Sequence, residues 1–233
     1  MDCTVWDTDA LKYLARGYSV IPLAPRQKGP KLAGWTVFCS KQMDPEFASS
    51  FNGKGHNLGL CLGEASGIMA VDIDTENEVL LAKIERLIPS SPVKKRGAKG
   101  YTAFYRYDGQ TSQSFKLGDD GVDILCHGRQ TVMPGSIHPS GAIYEWVTQK
   151  TLFDIRKEQL PAITETAIAQ LRLLFRTKAE KKQPIKTPRK VYKDAMLDEI
   201  KEALRVIDPD ESYEQWVEIG LALRSELGDN GFD

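Results

Sequence analysis

The sequence predicts an α+β fold in two modules, an α/β stretch in front and a more antiparallel stretch behind, with a cleft between them where loops converge. Three observations carry this reading. Helical and strand patterns alternate from Asp7 to about Ile88. From Tyr101 to about Val147 strand patterns follow one another with little helix between them. Gly- and Pro-containing loops punctuate the strands throughout.

The elements follow in order. The apolar residues of ALKYLARG recur at helical spacing, and Gly17 ends that helix. YSVIPLAP is a strand, and RQKGPKLAGW is a Gly/Pro loop carrying Arg26, Lys28 and Lys31. Asp44 and Pro45 read as the cap and first residue of a short helix. HNLGLCLG and GIMAVDID are strands, and Glu76 to Ile88 is an amphipathic helix. YTAFYRY, GVDILCHG, QTVMPGS and AIYEWV are four more strands, the third running into a loop. Ile163 to Phe175 is helical, and a run rich in Lys and Arg follows, with Glu180 its one acid and Pro184 and Pro188 as breakers. That run reads as a solvated linker or a basic arm. Ala195 to Val206 and Tyr213 to Leu227 carry two further helical patterns.

Composition bounds the function. A hydrophobic fraction of 41% fills a core, and a net charge of −1 does not advertise a nucleic-acid binder, although it can conceal a local basic surface. Cys3, Cys39, Cys61 and Cys126 are scattered without a CxxC pair, which argues against a zinc ribbon or a disulfide framework. No apolar run approaches the ~20 residues of a membrane span, and the N-terminus lacks a secretory layout. A cytoplasmic protein without a membrane partner is expected.

The chemistry concentrates in acids. In IMAVDIDT, Asp72 and Asp74 are two residues apart at the end of an apolar strand, so strand alternation puts both on one face. A strand buried by Ile68, Met69 and Val71 tolerates such a pair only with a cation, and Mg²⁺ or Mn²⁺ accepts hard carboxylate oxygens together with substrate phosphates. Asp123 in GVDIL is a third acid on an apolar strand, able to meet the pair across a sheet. DxD alone is common, and a strand end reaching solvent is its bland explanation; three acids together suit two-metal chemistry. Between them lies KKRGAKGYTAFYRY, where Lys94, Lys95, Arg96 and Lys99 meet a Gly-rich turn of the kind that holds phosphates, or make an ordinary basic surface hairpin. Beyond Asp123, Ser136 and His138 sit two apart in a Pro/Gly loop.

Taken in order, these segments resemble the bifunctional DNA primase/polymerase, or prim-pol, domain of the archaeo-eukaryotic primase superfamily. GYSVIPLAPRQKGPKLAGW is similar to its opening strand and Lys-Pro-Trp segment, and NLGLCLGEASGIMAVDID to its Gly-rich lead into DxD. GVDILCHGRQTVMPGSIHPSGAIYEW is similar to its third-acid strand and Ser-x-His loop. The likeness covers roughly residues 10 to 150. It implies a prim-pol catalytic domain at 1–175 with a two-module primase fold, a mixed or antiparallel sheet and an RRM-like catalytic module. A basic linker at 176–192 and the start of a helical primase C-terminal domain at 193–233 would follow, the latter cut from a longer protein that commonly continues into a helicase.

The resemblance further implies template-directed nucleotidyl transfer in the replication of a plasmid, phage or other mobile element. Asp72, Asp74 and Asp123 would bind the metals, with Ser136, His138, Thr102, Lys99 and Arg129 around the incoming nucleotide. Lys28, Lys31, Lys94, Lys95 and Arg96 would meet template or phosphates, the partners being nucleoside triphosphates and single-stranded or primed DNA. One departure stands out: where the family usually places a His after GY, this chain has Thr102. Threonine hydrogen-bonds a phosphate but cannot carry the charge of His⁺. A catalytically reduced domain that binds DNA or nucleotide and positions a helicase is therefore the alternative, and a metal-dependent nuclease a third reading that the order of the motifs disfavours.

Overall fold

The computed structural model describes residues 4–175; the expected linker and C-terminal helical segment lie outside the described residues. Among those residues the fold is α+β, with four α-helices and two antiparallel sheets. The helices begin where the sequence supplies an oxygen for their free N–H groups. Asp44 accepts from the amides of Glu46 and Phe47 at the start of α2 (Pro45–Ser49), with Pro45 as its first residue. Asn77 caps α3 (Glu78–Leu87) and Thr164 caps α4 (Glu165–Leu174) in the same manner. At α1 (Val5–Ala15), Thr4 and Asp7 bond each other, and the helix stops just before Gly17.

The first sheet runs in the order β1 (Val20–Leu23), β2 (Asn57–Cys61), β8 (Gln130–Val132). Every pairing in it is antiparallel. The helix between β1 and β2, α2, has five residues, too few to cross over a sheet and return a parallel strand. The third strand comes from late in the chain, so the modules interleave in sequence.

The second sheet has six strands in the order β6 (Gln113–Leu117), β7 (Asp120–Leu125), β3 (Ile68–Asp74), β5 (Tyr101–Arg106), β4 (Lys94–Arg96), β9 (Glu145–Trp146), again antiparallel throughout. Its two faces have different fates. Met69, Val71, Ile73, Ala103, Tyr105, Val122 and Ile124 face α3 and α4 in one core. Ile68, Ala70 and Phe104 face the other way and join the core beneath the front sheet and α1. Central strand β3 is thus covered on both sides over its first four residues, and only from Asp72 does it alternate between half-buried and buried. That change marks where the front module ends and the cleft opens.

Candidate active site

Strand register assembles the site. Asp72 on β3 lies opposite Asp123 on β7 and opposite Thr102 on β5, and Thr102 in turn lies opposite Lys95 on β4. Directly opposed residues of an antiparallel sheet share a face, with Cα atoms about 4.5–5.5 Å apart. A polar row, Asp123, Asp72, Thr102 and Lys95, therefore crosses four strands at the point where the apolar face ends. Asp74 sits on the same face two residues further on, opposite Gly121, which has no side chain to crowd it.

The row borders a cavity of about 420 Å³, in the range of small-molecule sites. Asp72 and Asp74 line one part of it, and Lys28, Lys95, Lys99 and His138 line another. Acids thus confront cations across the opening. Lys99 reaches Asp74 with 3.6 Å between Nζ and Oδ1 and donates to the Asp119 carbonyl at 3.0 Å. Both side chains of the pair are solvent-accessible, so the pairing contributes roughly 0–1 kcal/mol and leaves Lys99 free to turn toward a stronger anion.

Lys95 and Thr102 are buried. Lys95 Nζ donates to Thr102 Oγ1 at 2.9 Å, and Thr102 Oγ1 donates to Asp72 Oδ1 at 2.6 Å. Burial pushes the Lys95 ammonium down to about 8, with the charge of Asp72 opposing that fall and Lys28 adding to it. The Tyr144 ring lies 5.2 Å from Lys95 Nζ. Gly97 makes room for that ring, since a Cβ there would stand 2.6 Å from it.

The Ser-x-His loop is clamped to β2. Ser136 is fully buried and its Oγ accepts from the Leu58 amide at 3.0 Å. Asn57 grips the next residue at both its backbone groups, accepting from Ile137 N at 2.9 Å and donating to Ile137 O at 2.7 Å. His138 follows, half-exposed, with Nδ1 accepting from the Ser140 amide at 3.0 Å. An amide can only donate, so the neutral ring carries its proton on Nε2, which has no hydrogen bond among the described residues. Partial burial and the nearby Lys28 both depress its pKa.

A profile of the N-terminal domain of bifunctional DNA primase/polymerases matches residues 10–171 of this 233-residue chain. The chain belongs to the Prim-Pol family. No curated protein matches it. As a Prim-Pol domain it is a primase/polymerase nucleotidyltransferase of DNA replication, acting with nucleotides on a DNA template and using a divalent metal. Among the described residues no helix is long and apolar enough to cross a membrane.

Not every residue singled out from the sequence enters the Prim-Pol cavity. Lys94 to Arg96 form strand β4, which leads into the Gly-containing turn before β5, and alternation divides them. Lys95 faces the cavity, whereas Lys94 turns to Glu85, at 3.3 Å, and lies over the Tyr101 ring. Arg96 is exposed, as are Lys31 and Arg129, and none of the three lines the cavity. Ser136 serves the loop backbone and is not among the lining residues. Asp123 shares the row by register without lining the cavity. Gln130, Thr131 and Tyr144 do line it and were not singled out; lying in a strand and a loop without charge, they gave no signal.

The donors suit a divalent ion in chemistry: three carboxylates on one sheet face, beside a cavity with facing lysines. Among the described residues no three His, Cys, Asp or Glu side chains are placed together to hold a metal ion by themselves; Asp72 turns to Thr102 and Asp74 to Lys99. An ion here would be completed by substrate oxygens, as Mg²⁺ sites commonly are.

Proposed function

We propose that the cavity is the polymerising centre, with Asp72, Asp74 and Asp123 as the metal-holding carboxylates of a two-metal mechanism. The observation that carries this reading is the register that sets Asp72 directly opposite Asp123, with Asp74 on the same face. Divalent ions bound there would favour ionisation of the primer 3′-hydroxyl and offset the charge of the triphosphate. The chain's own residues do the rest. Lys99, once released from Asp74, and Lys28 bind triphosphate oxygens, and His138 donates through Nε2 to the same group. Clamping by Ser136 and Asn57 keeps that imidazole in place. The 3′-oxygen forms a bond to the α-phosphorus as the bond to the departing pyrophosphate breaks, and no covalent enzyme intermediate is required.

Lys31, Arg96 and Arg129, outside the cavity and exposed, fit sequence-independent contact with template phosphates. The biological setting we propose is replication of a plasmid, phage or other mobile element, with a helicase beside the domain. Its support is the likeness of the segment from Tyr192 to a primase C-terminal domain.

A second reading, a domain that binds nucleotide and DNA without joining them, draws on Thr102, which is committed to Asp72 and Lys95 rather than free for a phosphate. One assay separates the two. With labelled dNTP, Mg²⁺ or Mn²⁺ and a single-stranded or primed template, the wild type extends and Asp72→Ala does not while keeping its fold. Incorporation by Asp72→Ala at the wild-type rate would overturn the assignment, and binding without extension by the wild type would select the second reading.

A further inference from the structure

The chain from Lys95 through Thr102 to Asp72 has a direction fixed by chemistry. An ammonium has only protons to give and a carboxylate only lone pairs to offer. Thr102 Oγ1, 2.9 Å from the first and 2.6 Å from the second, must therefore accept from Lys95 and spend its one proton on Asp72 Oδ1. Lys95 and Thr102 are 2% and 4% exposed, so water does not readily replace either partner. Thr102 is also β-branched on a central strand, stiff about χ1, and is held in register between β3 and β4. An ordinary surface hydroxyl would have none of these constraints.

We propose that Lys95 and Thr102 are positioning residues for Asp72: the relay holds Oδ1, fixes the plane of the carboxylate and leaves Oδ2 as the oxygen offered to the divalent ion. This rests on the reading of Asp72 as a metal ligand. It gives Thr102 a task other than the phosphate contact expected of it, and gives Lys95 a task that no exposed lysine could perform. Lys95 is not a triphosphate contact in this arrangement, because its ammonium lies beneath Tyr144 and is committed to Thr102. Hydrogen-bonded partners of metal ligands commonly set affinity by about 10- to 100-fold.

The test is Mn²⁺ affinity, measured by paramagnetic resonance on the whole chain without nucleotide or DNA. Thr102→Val, nearly isosteric and without the hydroxyl, weakens Mn²⁺ binding by about 10-fold or more, and Thr102→Ser restores it to within a small factor of wild type. Lys95→Met is then measured in the wild-type and Thr102→Val backgrounds. A relay makes its effect differ between the two, whichever sign the effect has, because removing the hydroxyl already disconnects Lys95 from Asp72. Wild-type affinity in Thr102→Val, or an identical effect of Lys95→Met in both backgrounds, overturns the relay. Asp72→Asn is the control on the underlying reading: if it leaves Mn²⁺ binding unchanged, the metal site itself is misplaced, whereas loss of binding there with an insensitive Thr102→Val sinks the relay alone. Thermal melting of each variant identifies any that fails to fold, and Thr102→Ala, which also lacks the hydroxyl and should weaken Mn²⁺ binding in the same way, takes the place of Thr102→Val if that is one of them.

Discussion

At the scale of single residues, the site is a set of charges whose surroundings differ. Lys99 is accessible and loosely paired, while Lys95 is buried. The folded value of Lys95, about 8, lies below its usual 10.5. Between these values the unfolded chain holds more protons than the folded one, so this group's contribution to stability rises with pH across the window and levels off above it. The free-energy difference between wild type and Lys95→Met, followed by denaturant unfolding without metal, should shift in favour of wild type by roughly 3 kcal/mol from pH 7 to 10.5. A flat difference would mean that Lys95 is solvated. His138 offers a second residue-level test. His138→Ala should weaken triphosphate binding by about 1.5–3 kcal/mol, the usual worth of a hydrogen bond to a charged group, while Ser136→Ala should act chiefly on stability because its oxygen serves Leu58. Calorimetric titration with a nucleotide in the presence of metal reads the first, and equal losses of affinity in both variants would contradict the division of labour.

At the scale of elements, the site depends on how β3, β5 and β7 meet. Gly100 begins the approach of β5 with a φ of +55°, and a Cβ there would come within 1.8 Å of the Ile73 carbonyl. Gly100→Ala should therefore force β5 off β3 beside Asp72 and Asp74, lowering the melting temperature and abolishing incorporation together. Retention of both would mean that the strands part without consequence. Much of this architecture was legible. Gly17, Asp44 with Pro45, and the apolar run into Asp72 mark their elements through caps and burial that are local in sequence. β6 was not, because only Phe115 of its five residues is buried, leaving no alternation to read. β4 was hidden for another reason: three consecutive basic residues look like a surface turn, and nothing local shows that Lys95 will be roofed by Tyr144 from a distant loop. The candidate carboxylates were legible as residue types on strand faces, whereas the Asn57 clamp and the Lys95 relay depend on pairings between segments far apart in the chain.

At the scale of the whole molecule, the modules interleave so that the front sheet covers one half of the β3 face and leaves the other half open. The loop bearing Lys28 and Lys31 comes from the front module and the carboxylate row from the rear, so the nucleotide would be held from both layers. Replacing Lys31, Arg96 and Arg129 together should weaken binding of single-stranded DNA and flatten its salt dependence, by about 0.7 in log–log slope for each phosphate that is no longer neutralised. An unchanged slope would remove these three residues from the template path. Neutralising lysines within 176–193 should act in the same direction, uniformly across template sequences. The central claim is that the Asp72–Asp123 row beside the cavity holds the catalytic ions. Its most direct test is a crystal of the protein with Mn²⁺ and a non-hydrolysable deoxynucleoside triphosphate, measured for anomalous scattering. An Mn²⁺ peak bound by the Asp72 and Asp123 carboxylates is expected, with triphosphate oxygens completing its shell and Lys99 turned from Asp74 to the phosphates. A peak elsewhere, or triphosphate bound in the cavity at saturating Mn²⁺ with no ion on these carboxylates, would contradict it.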